Sequence, residues 1–532
     1  MTMDHGAAAN GLGAPDTGAD LLLDCLYVGG ARICFANPGT TELGLVSALA
    51  RDGRIRCVLS LFEGVCTGAA DGYARVSGAV PLTLLHLGPG FANGIANLHN
   101  ARRAGSRIIN LIGDHATWHL AYDAPLTSDI RSLAAPVSRE VLYVDNVAAI
   151  PEAVGKAFAA TGIAEGGAAT LIIPTDAVDA AAPAGAAAHA VAGYRPTAVE
   201  PARIAALAAS LAEPSEIIVL LGGNALSEAG IRAGDAVTRR LGGRLLMEPY
   251  PAIVTLGGEL PVVERQAYFP DDVIAQMGTA RVILAGARAP ISYFGYEGWP
   301  SQLVPDERLL LLAQPGEDAS AALADLASRL GAPASPAATS ALLAVPAPDP
   351  SAGLTAASVV QQVLGQLPQD TIISLEGSTL GGPWLRNAHR APRHQVMTNT
   401  GGAIGQGLPC AVGAALAAPD RQVISLQSDG SAQYTLQSLW TMAREGLKVT
   451  VIIAANHRYA ILQTELTRSS VPLDAEIVAN LTLLDAPRID WVALAAGYGV
   501  PAVRAATNAE FALALGQGLA TDGPFLIQAE LP

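Results

Sequence analysis

Several things are scarce in this chain, and each scarcity narrows what it can be. Aromatic residues make up only 5% of it, and much of the 51% hydrophobic content is alanine. Basic side chains are outnumbered, 32 against 47 acidic, for a formal net charge of −15. That balance argues against a nucleic-acid partner, which needs a basic face, and helps keep an Ala-rich protein in solution. The five cysteines, Cys25, Cys34, Cys57, Cys66 and Cys410, form no Cys-x-x-Cys pair. An odd, scattered set reads as reduced, buried thiols in a cytosolic protein. Apolar runs such as "VTVIIAA" and "EIIVLLGG" fall short of the roughly 18 residues that suggest a membrane span. The first twenty residues lack the basic flank and apolar stretch of a signal peptide. The expectation is a cytoplasmic protein with no membrane partner and a disordered start over residues 1–15.

What is present is a repeated alternation. A length of 532 residues suggests about three domains. Two stretches have linker composition: "AAAPAGAAAHAVAGYRP", ending at Pro196, and the proline-rich residues 331–353. They leave segments 16–185, 195–335 and 353–532. Each alternates short β-branched runs with longer helix-like ones. "RICFAN", "PLTLLHL" and "SRIINLIGD" lie in the first, "EIIVLLGG" and "ARVILAGAR" in the second, and "DTIISLE", "RQVISLQSD" and "KVTVIIAAN" in the third. Continuous apolar strands spaced by helices indicate parallel sheets covered on both faces. The predicted fold class is α/β, with three doubly wound parallel-sheet domains.

Ligands in such sheets collect outside the carboxyl ends of the strands. Two strand-like runs in the third segment end at Asp429 and at Asn456, 27 residues apart. That step fits a strand end, a crossover helix in "YTLQSLWTMAREG" closed by Gly446, and the neighbouring strand. A carboxylate and an amide oxygen then converge, a hard-oxygen pair suited to Mg²⁺ or Ca²⁺ rather than zinc. Gly430 and Ser431 open the next helix, whose N–H groups favour an anion. Metal and helix start together imply a diphosphate. The blander reading makes Asp429 an N-cap and Asn456 a turn residue.

Asp-Gly-Ser followed after 27 residues by Asn resembles the thiamin-diphosphate motif, with Ser428 in place of its leading Gly and Ala455 in place of its first Asn. The resemblance implies Mg²⁺ held by Asp429, Asn456 and the carbonyl of Arg458, with Tyr459, Ala460 and Ile461 following at the cofactor. "LEGSTLGG" resembles the segment whose hydroxyls hold the diphosphate, here Ser378 and Thr379. "NTGGAIGQG" resembles the pyrimidine-side loop, in which the Gly402 carbonyl meets the aminopyrimidine and Ile404 wedges between the two rings. "FANPGTTELGLVSAL" and "LFEGVCTGAADGYARVSG" resemble the pyrimidine-binding half, with Asn37, Pro38, Gly39 and Glu63 facing the cofactor. The family is that of acetolactate synthase large subunit, benzoylformate decarboxylase and pyruvate decarboxylase, and the overall likeness is greatest to acetolactate synthase-like proteins.

The resemblance implies catalytic residues as well. Glu63 would share a proton with the pyrimidine N1′; without the resemblance it reads as a favourable helix-start charge. His86 matches a proton-handling His of benzoylformate decarboxylase and has a side chain suited to that task, although a lone strand-end His is more often a core residue. Thr40 matches a substrate-side hydroxyl, or else caps a turn. Phe294 stands near the decarboxylase's second catalytic His, which suggests a more apolar substrate cavity. His115 and His119 have metal-pair spacing but no third ligand nearby, and read as loop or surface. FAD is allowed by likeness to acetolactate synthase, but "LLGGNA" is not Gly-x-Gly-x-x-Gly and no acidic ribose partner stands at the expected offset.

The function implied is action on a 2-oxo acid, with acetolactate synthase-like decarboxylation and carboligation first and simple decarboxylation second. An acyl-CoA lyase lacks a clear basic cluster, and a flavin or nucleotide oxidoreductase lacks its fingerprint. A catalytically inactive, cofactor-binding regulatory relative is the alternative of another class. The family implies a homodimer with shared active sites, and pairing into a homotetramer stays open.

Overall fold

The computed structural model describes residues 15–163, 165–188, 193–212, 215–334 and 347–532. The expected disordered start lies largely outside these residues, as do the centres of both linkers.

The first segment contributes β1 (Ile33–Asn37), β2 (Arg56–Leu59), β3 (Leu82–Leu85), β4 (Ile108–Asp114), β5 (Glu140–Tyr143) and β6 (Ala168–Pro174). They form one parallel sheet in the order β2-β1-β3-β4-β6-β5. The middle of the chain supplies β7 (Ile217–Leu221), β8 (Arg244–Met247), β9 (Val254–Leu256), β10 (Glu264–Arg265), β11 (Arg281–Ala285) and β12 (Leu309–Ala313). Five of these form a parallel sheet, β10-β8-β7-β11-β12. The last segment contributes β13 (Ile372–Leu375), β14 (His394–Thr398), β15 (Val423–Ser428), β16 (Val449–Ala455), β17 (Ala502–Ala505) and β18 (Phe525–Glu530). Its sheet runs β17-β18-β16-β15-β13-β14 and is completed by β9, which pairs antiparallel with β14.

The three-sheet α/β class read from the sequence is the fold observed. The first and third sheets repeat one topology: β13 sits where β1 does, β14 where β2 does, and so on to the far edge. The helices that follow the two matching strands β2 and β14, Glu63–Ser77 and Gly407–Ala417, pack on each other. They can do so because small residues line the contact. A Cβ on Gly413 would lie 1.9 Å from the Ala69 carbonyl oxygen, and one on Gly72 2.2 Å from that of Cys410. One apolar cluster therefore continues from Phe35, Val58 and Leu85 in the first sheet to Met397, Val423 and Val449 in the third.

All five cysteines are free and four are buried; Cys57 is exposed, because β2 is an edge strand that leaves its side chain at the surface. Among the described residues no helix is long and apolar enough to cross a membrane.

Candidate active site

The crossover geometry read from "SDGS…AAN" is present. β15 and β16 are adjacent and parallel, and their ladder ends at Ser428 opposite Ala454. Asp429 and Asn456 therefore leave neighbouring strands at the same end. The Asp429 carboxylate is buried. Its Oδ1 accepts the Gly430 N–H at 2.8 Å and its Oδ2 the His457 N–H at 2.7 Å. Each oxygen keeps further lone-pair capacity. Burial pushes the Asp429 pKa up, and these two backbone donors oppose the shift. His457 takes a left-handed φ of 53° to deliver its N–H. The connection between the strands is broken into three: Asp429–Ala432, a 3-10 turn at Gln433–Thr435, and Ser438–Glu445 closed by Gly446 in the left-handed conformation.

A third strand end completes this corner. After β13, Gly377 adopts φ 90°, a conformation that favours glycine, and Ser378 opens the helix Ser378–Asn387. The Asn456 Nδ2 donates to Thr379 Oγ1 at 3.4 Å, which joins the two loops. Ser428 fits closely here: a Cβ on Gly377 would lie 2.0 Å from its Oγ. Ala455 is fully buried in β16, level with Glu530 of β18. Tyr459 lays its ring against Gly430. Ala460 and Ile461 begin the helix Ala460–Arg468, and Arg458 is pinned by its side chain to the Pro532 carbonyl at 2.8 Å.

These residues suit a metal diphosphate. Among the described residues no group of three or more His, Cys, Asp or Glu could hold a metal. A hard cation at Asp429 and Asn456 would thus take its remaining oxygens from a carbonyl, phosphate and water. Ser378, Thr379, Gly430 and Ser431 offer hydroxyl and N–H donors beside it.

The loop holding Gly402 and Ile404 lies next to this corner, its Gly405 carbonyl accepting from Thr435 Oγ1 at 2.8 Å. Gly402 has φ 80°, and the Tyr293 hydroxyl abuts its Cα so closely that a Cβ would lie 2.0 Å away. Tyr293 belongs to an aromatic chain in which its ring centroid lies 5.3 Å from Tyr268 and 4.9 Å from Phe294. Phe294 is 56% exposed. Ile404 lies at the loop's surface, half-exposed.

In the first sheet, Asn37 ends β1 and Pro38 and Gly39 follow it, Glu63 follows β2 and His86 follows β3. Glu63 opens its helix in a buried position, and its Oε2 accepts from Asn93 Nδ2 at 3.0 Å. Gly90 lies between the two candidate groups: a Cβ there would be 3.1 Å from Glu63 Oε1 and 3.3 Å from His86 Cβ. Sequence reasoning missed Glu42. It is fully buried, its Oε2 lies 2.8 Å from His86 Nδ1, and the same oxygen accepts the Gly39 N–H at 2.8 Å. The signal was the capping-box spacing within "NPGTTE". Thr40 is exposed. Its neighbour Thr41 is the residue that reaches His86 Nδ1, at 3.3 Å, and donates to Glu42 Oε1 at 2.8 Å. The two halves meet within one chain at Asn97, whose Nδ2 donates to the Gly64 carbonyl at 2.8 Å and to that of Gly405 at 3.4 Å.

His115 and His119 stack edge-on, with centroids 5.6 Å apart, beside the exposed Trp118 and Tyr122. In the middle sheet an acidic residue does stand at the end of β8: Glu248 Oε1 accepts the Gly223 N–H at 3.3 Å, and burial raises its pKa to about 7.

Strand-end Asp and Asn beside a hydroxyl-bearing loop, on one of two repeated parallel sheets, define a protein of the class that binds thiamin diphosphate. Family comparison agrees. Residues 16–133 match the thiamine pyrophosphate enzyme N-terminal TPP-binding domain, and residues 382–529 match the C-terminal TPP-binding domain. The chain belongs to the thiamine pyrophosphate enzyme family. It is 44% identical over 525 residues to a Mycobacterium tuberculosis protein provisionally named acetolactate synthase large subunit IlvX, covering 97% of this chain and 99% of the relative. It is 31% identical over 528 residues to benzoylformate decarboxylase of Pseudomonas aeruginosa, covering 94% and 96%. In fold it is similar to the 4-hydroxybenzoylformate decarboxylase of Rhodococcus jostii RHA1, with a TM-score of 0.83, 24% identity and 97% and 99% of the two chains covered.

Proposed function

We propose that this chain uses thiamin diphosphate and Mg²⁺ to decarboxylate a 2-oxo acid. The observation that carries the reading is the convergence of Asp429, Asn456 and Thr379 at three neighbouring strand ends. When bound, thiamin diphosphate supplies a nucleophilic carbon and an electron sink. The chain's residues bind and orient it. Asp429, Asn456 and the Arg458 carbonyl would hold Mg²⁺, while Ser378, Thr379, Gly430 and Ser431 would hold the diphosphate. Gly402 and Ile404, with Tyr459, Ala460 and Ile461 nearby, would flank the ring system. Glu63 would hold a proton at the pyrimidine N1′. Reaching a cofactor bound by a second copy makes the working unit a homodimer, as the family resemblance implies.

Once carbon dioxide has left, two exits are open. Protonation gives an aldehyde, and attack on a second carbonyl gives a 2-hydroxy ketone. The pairing of His86 with buried Glu42 favours protonation, because a carboxylate at Nδ1 orients the imidazole and leaves its other nitrogen for the substrate side. Thr40 and Phe294 would then face the substrate. Carboligation is the second reading, supported by the likeness to IlvX over nearly the full chain.

Native mass spectrometry with Mg²⁺ and thiamin diphosphate tests the first step; a protein that retains no diphosphate ends the proposal. Carbon dioxide release from pyruvate, benzoylformate and branched 2-oxo acids, with product analysis, decides the exit. Aldehyde is expected as the main product, and His86→Ala should depress it. A hydroxy ketone as the main product would select carboligation instead. Visible flavin absorbance in the purified protein would show that FAD binds.

A further inference from the structure

Glu376, just past β13, is a buried carboxylate, only 2% exposed, and its hydrogen-bond partners are backbone and amide donors rather than basic side chains. Its Oε1 accepts the Gly405 N–H at 2.7 Å and the Gln406 N–H at 3.3 Å, and its Oε2 accepts the Gly407 N–H at 2.7 Å. The Asn399 Nδ2 donates to Oε1 as well, at 3.3 Å. An ionised carboxylate is acceptor-only with about four lone-pair sites, so four converging donors match it and would not match an amide. Burial pushes its pKa up while these donors oppose the shift.

Asn399 carries the restraint further along the loop. Its Oδ1 accepts the Gly402 N–H at 2.8 Å and its Nδ2 donates to the Ala403 carbonyl at 2.9 Å. From the first segment, Asn100 grips the same residue, donating to the Ala403 carbonyl at 2.7 Å and accepting its N–H at 3.2 Å. Gly402 and Gly405 hold φ of 80° and 95°, so the loop takes a path that few other residues would adopt. A single carboxylate anchors the start of the helix Gly407–Ala417 and, through Asn399, the backbone around Gly402.

We propose that Glu376 is a positioning residue: it fixes residues 399–407 so that the Gly402 carbonyl and the Ile404 side chain are aimed at the cofactor's pyrimidine. This rests on the thiamin-diphosphate reading above. A purely architectural carboxylate would support the fold without affecting turnover selectively.

The test compares wild type with Glu376→Gln and Asn399→Ala as full-length proteins. In cofactor-free protein, hydrogen exchange of the amides of residues 402–407 should speed up about tenfold or more in Glu376→Gln, as expected on losing a charge-assisted hydrogen bond. Exchange in the helix Ile150–Thr161, on the far side of the first sheet, should stay unchanged. With cofactor, kcat should fall about 10²-fold, the order expected of an ångström-scale misplacement, with KM within about threefold. Asn399→Ala should move both readouts in the same direction. Faster exchange with unchanged kcat would overturn the proposal, as would unchanged exchange, or failure of both variants to fold, which would make Glu376 a stability residue. If wild type itself retains no thiamin diphosphate, the functional reading falls, and the exchange rates still decide whether Glu376 clamps the loop.

Discussion

Replacing Arg75 by methionine would strip one charge from a buried pair that ties the two repeated sheets together. Arg75 and Asp71 sit one turn apart on the helix that Glu63 opens, their side chains 2% and 0% exposed. The guanidinium meets both carboxylate oxygens, at 2.8 and 2.5 Å. It also donates to the Thr398 carbonyl at 2.8 Å and the Ala252 carbonyl at 3.2 Å, so that one side chain touches all three segments. Removing it leaves Asp71 with Ser106, Gln406 and the Cys410 thiol as donors, which cannot neutralise a desolvated charge. The expected loss is about 3–5 kcal/mol, the usual cost of breaking a buried pair from one side. The double variant Asp71→Asn/Arg75→Met removes the stranded charge and keeps an oxygen for Ser106. It should regain at least about 2 kcal/mol over the single variant. Urea unfolding followed by circular dichroism and tryptophan fluorescence is the assay. Divergence of the two signals in Arg75→Met would show the sheets coming apart separately. A double variant no more stable than Arg75→Met would refute the electrostatic argument and leave the lost contacts to Thr398 and Ala252 as the cause.

Three further outcomes are expected from the geometry. His394, at the start of β14, is buried neutral, with its pKa pushed down to about 4 from 6.5. The unfolded chain therefore binds more protons across that interval, and stability should fall as pH drops from about 6.5 to about 4, by about 3 kcal/mol. His394→Asn, which can still donate to the Pro392 carbonyl, should flatten that slope in apo-protein melting curves; an unchanged slope assigns it to other groups. Asp429→Asn turns an NH₂ towards a backbone N–H donor and should weaken Mg²⁺-dependent retention of thiamin diphosphate about 10–100-fold, read by native mass spectrometry, and unweakened retention would remove Asp429 from the metal. Glu63→Gln should lower carbon dioxide release by about 10²–10⁴-fold with an unchanged melting temperature; full activity would remove Glu63 from its role.

The interior of each sheet was legible because a strand buried on both faces is apolar along most of its length. β3 and β16 are fully buried, and each reads as an apolar run broken by a single threonine. Two of the outermost strands were not. β5, "EVLY", and β17, "AVRA", lie at sheet edges, are largely part-exposed and lack that signature. β9, three residues long, cannot be told from a turn. The same division holds for the site. Asp429, Asn456 and Glu63 could be placed because parallel strands deliver the residues at their carboxyl ends to one edge. Glu42, Asn97, Asn100 and Glu376 act through contacts to groups 23–308 positions away in the case of the last three, and 44 for Glu42 with His86. No local pattern encodes such partners. Ser428, a departure from the family motif, makes sense only against Gly377.

The antiparallel pairing of Val254–Leu256 with His394–Val396 also bears on modularity. The polypeptide lends the last sheet a border from a stretch that otherwise builds the middle one, so the middle layer is not a detachable insert. Excising it, or exchanging it for a relative's, would bare a row of backbone donors and acceptors on β14 that invites intermolecular strand addition. Chimaeras that keep residues 254–256 with the last sheet preserve its natural margin, and shuffled variants that cut there should be recovered as aggregates.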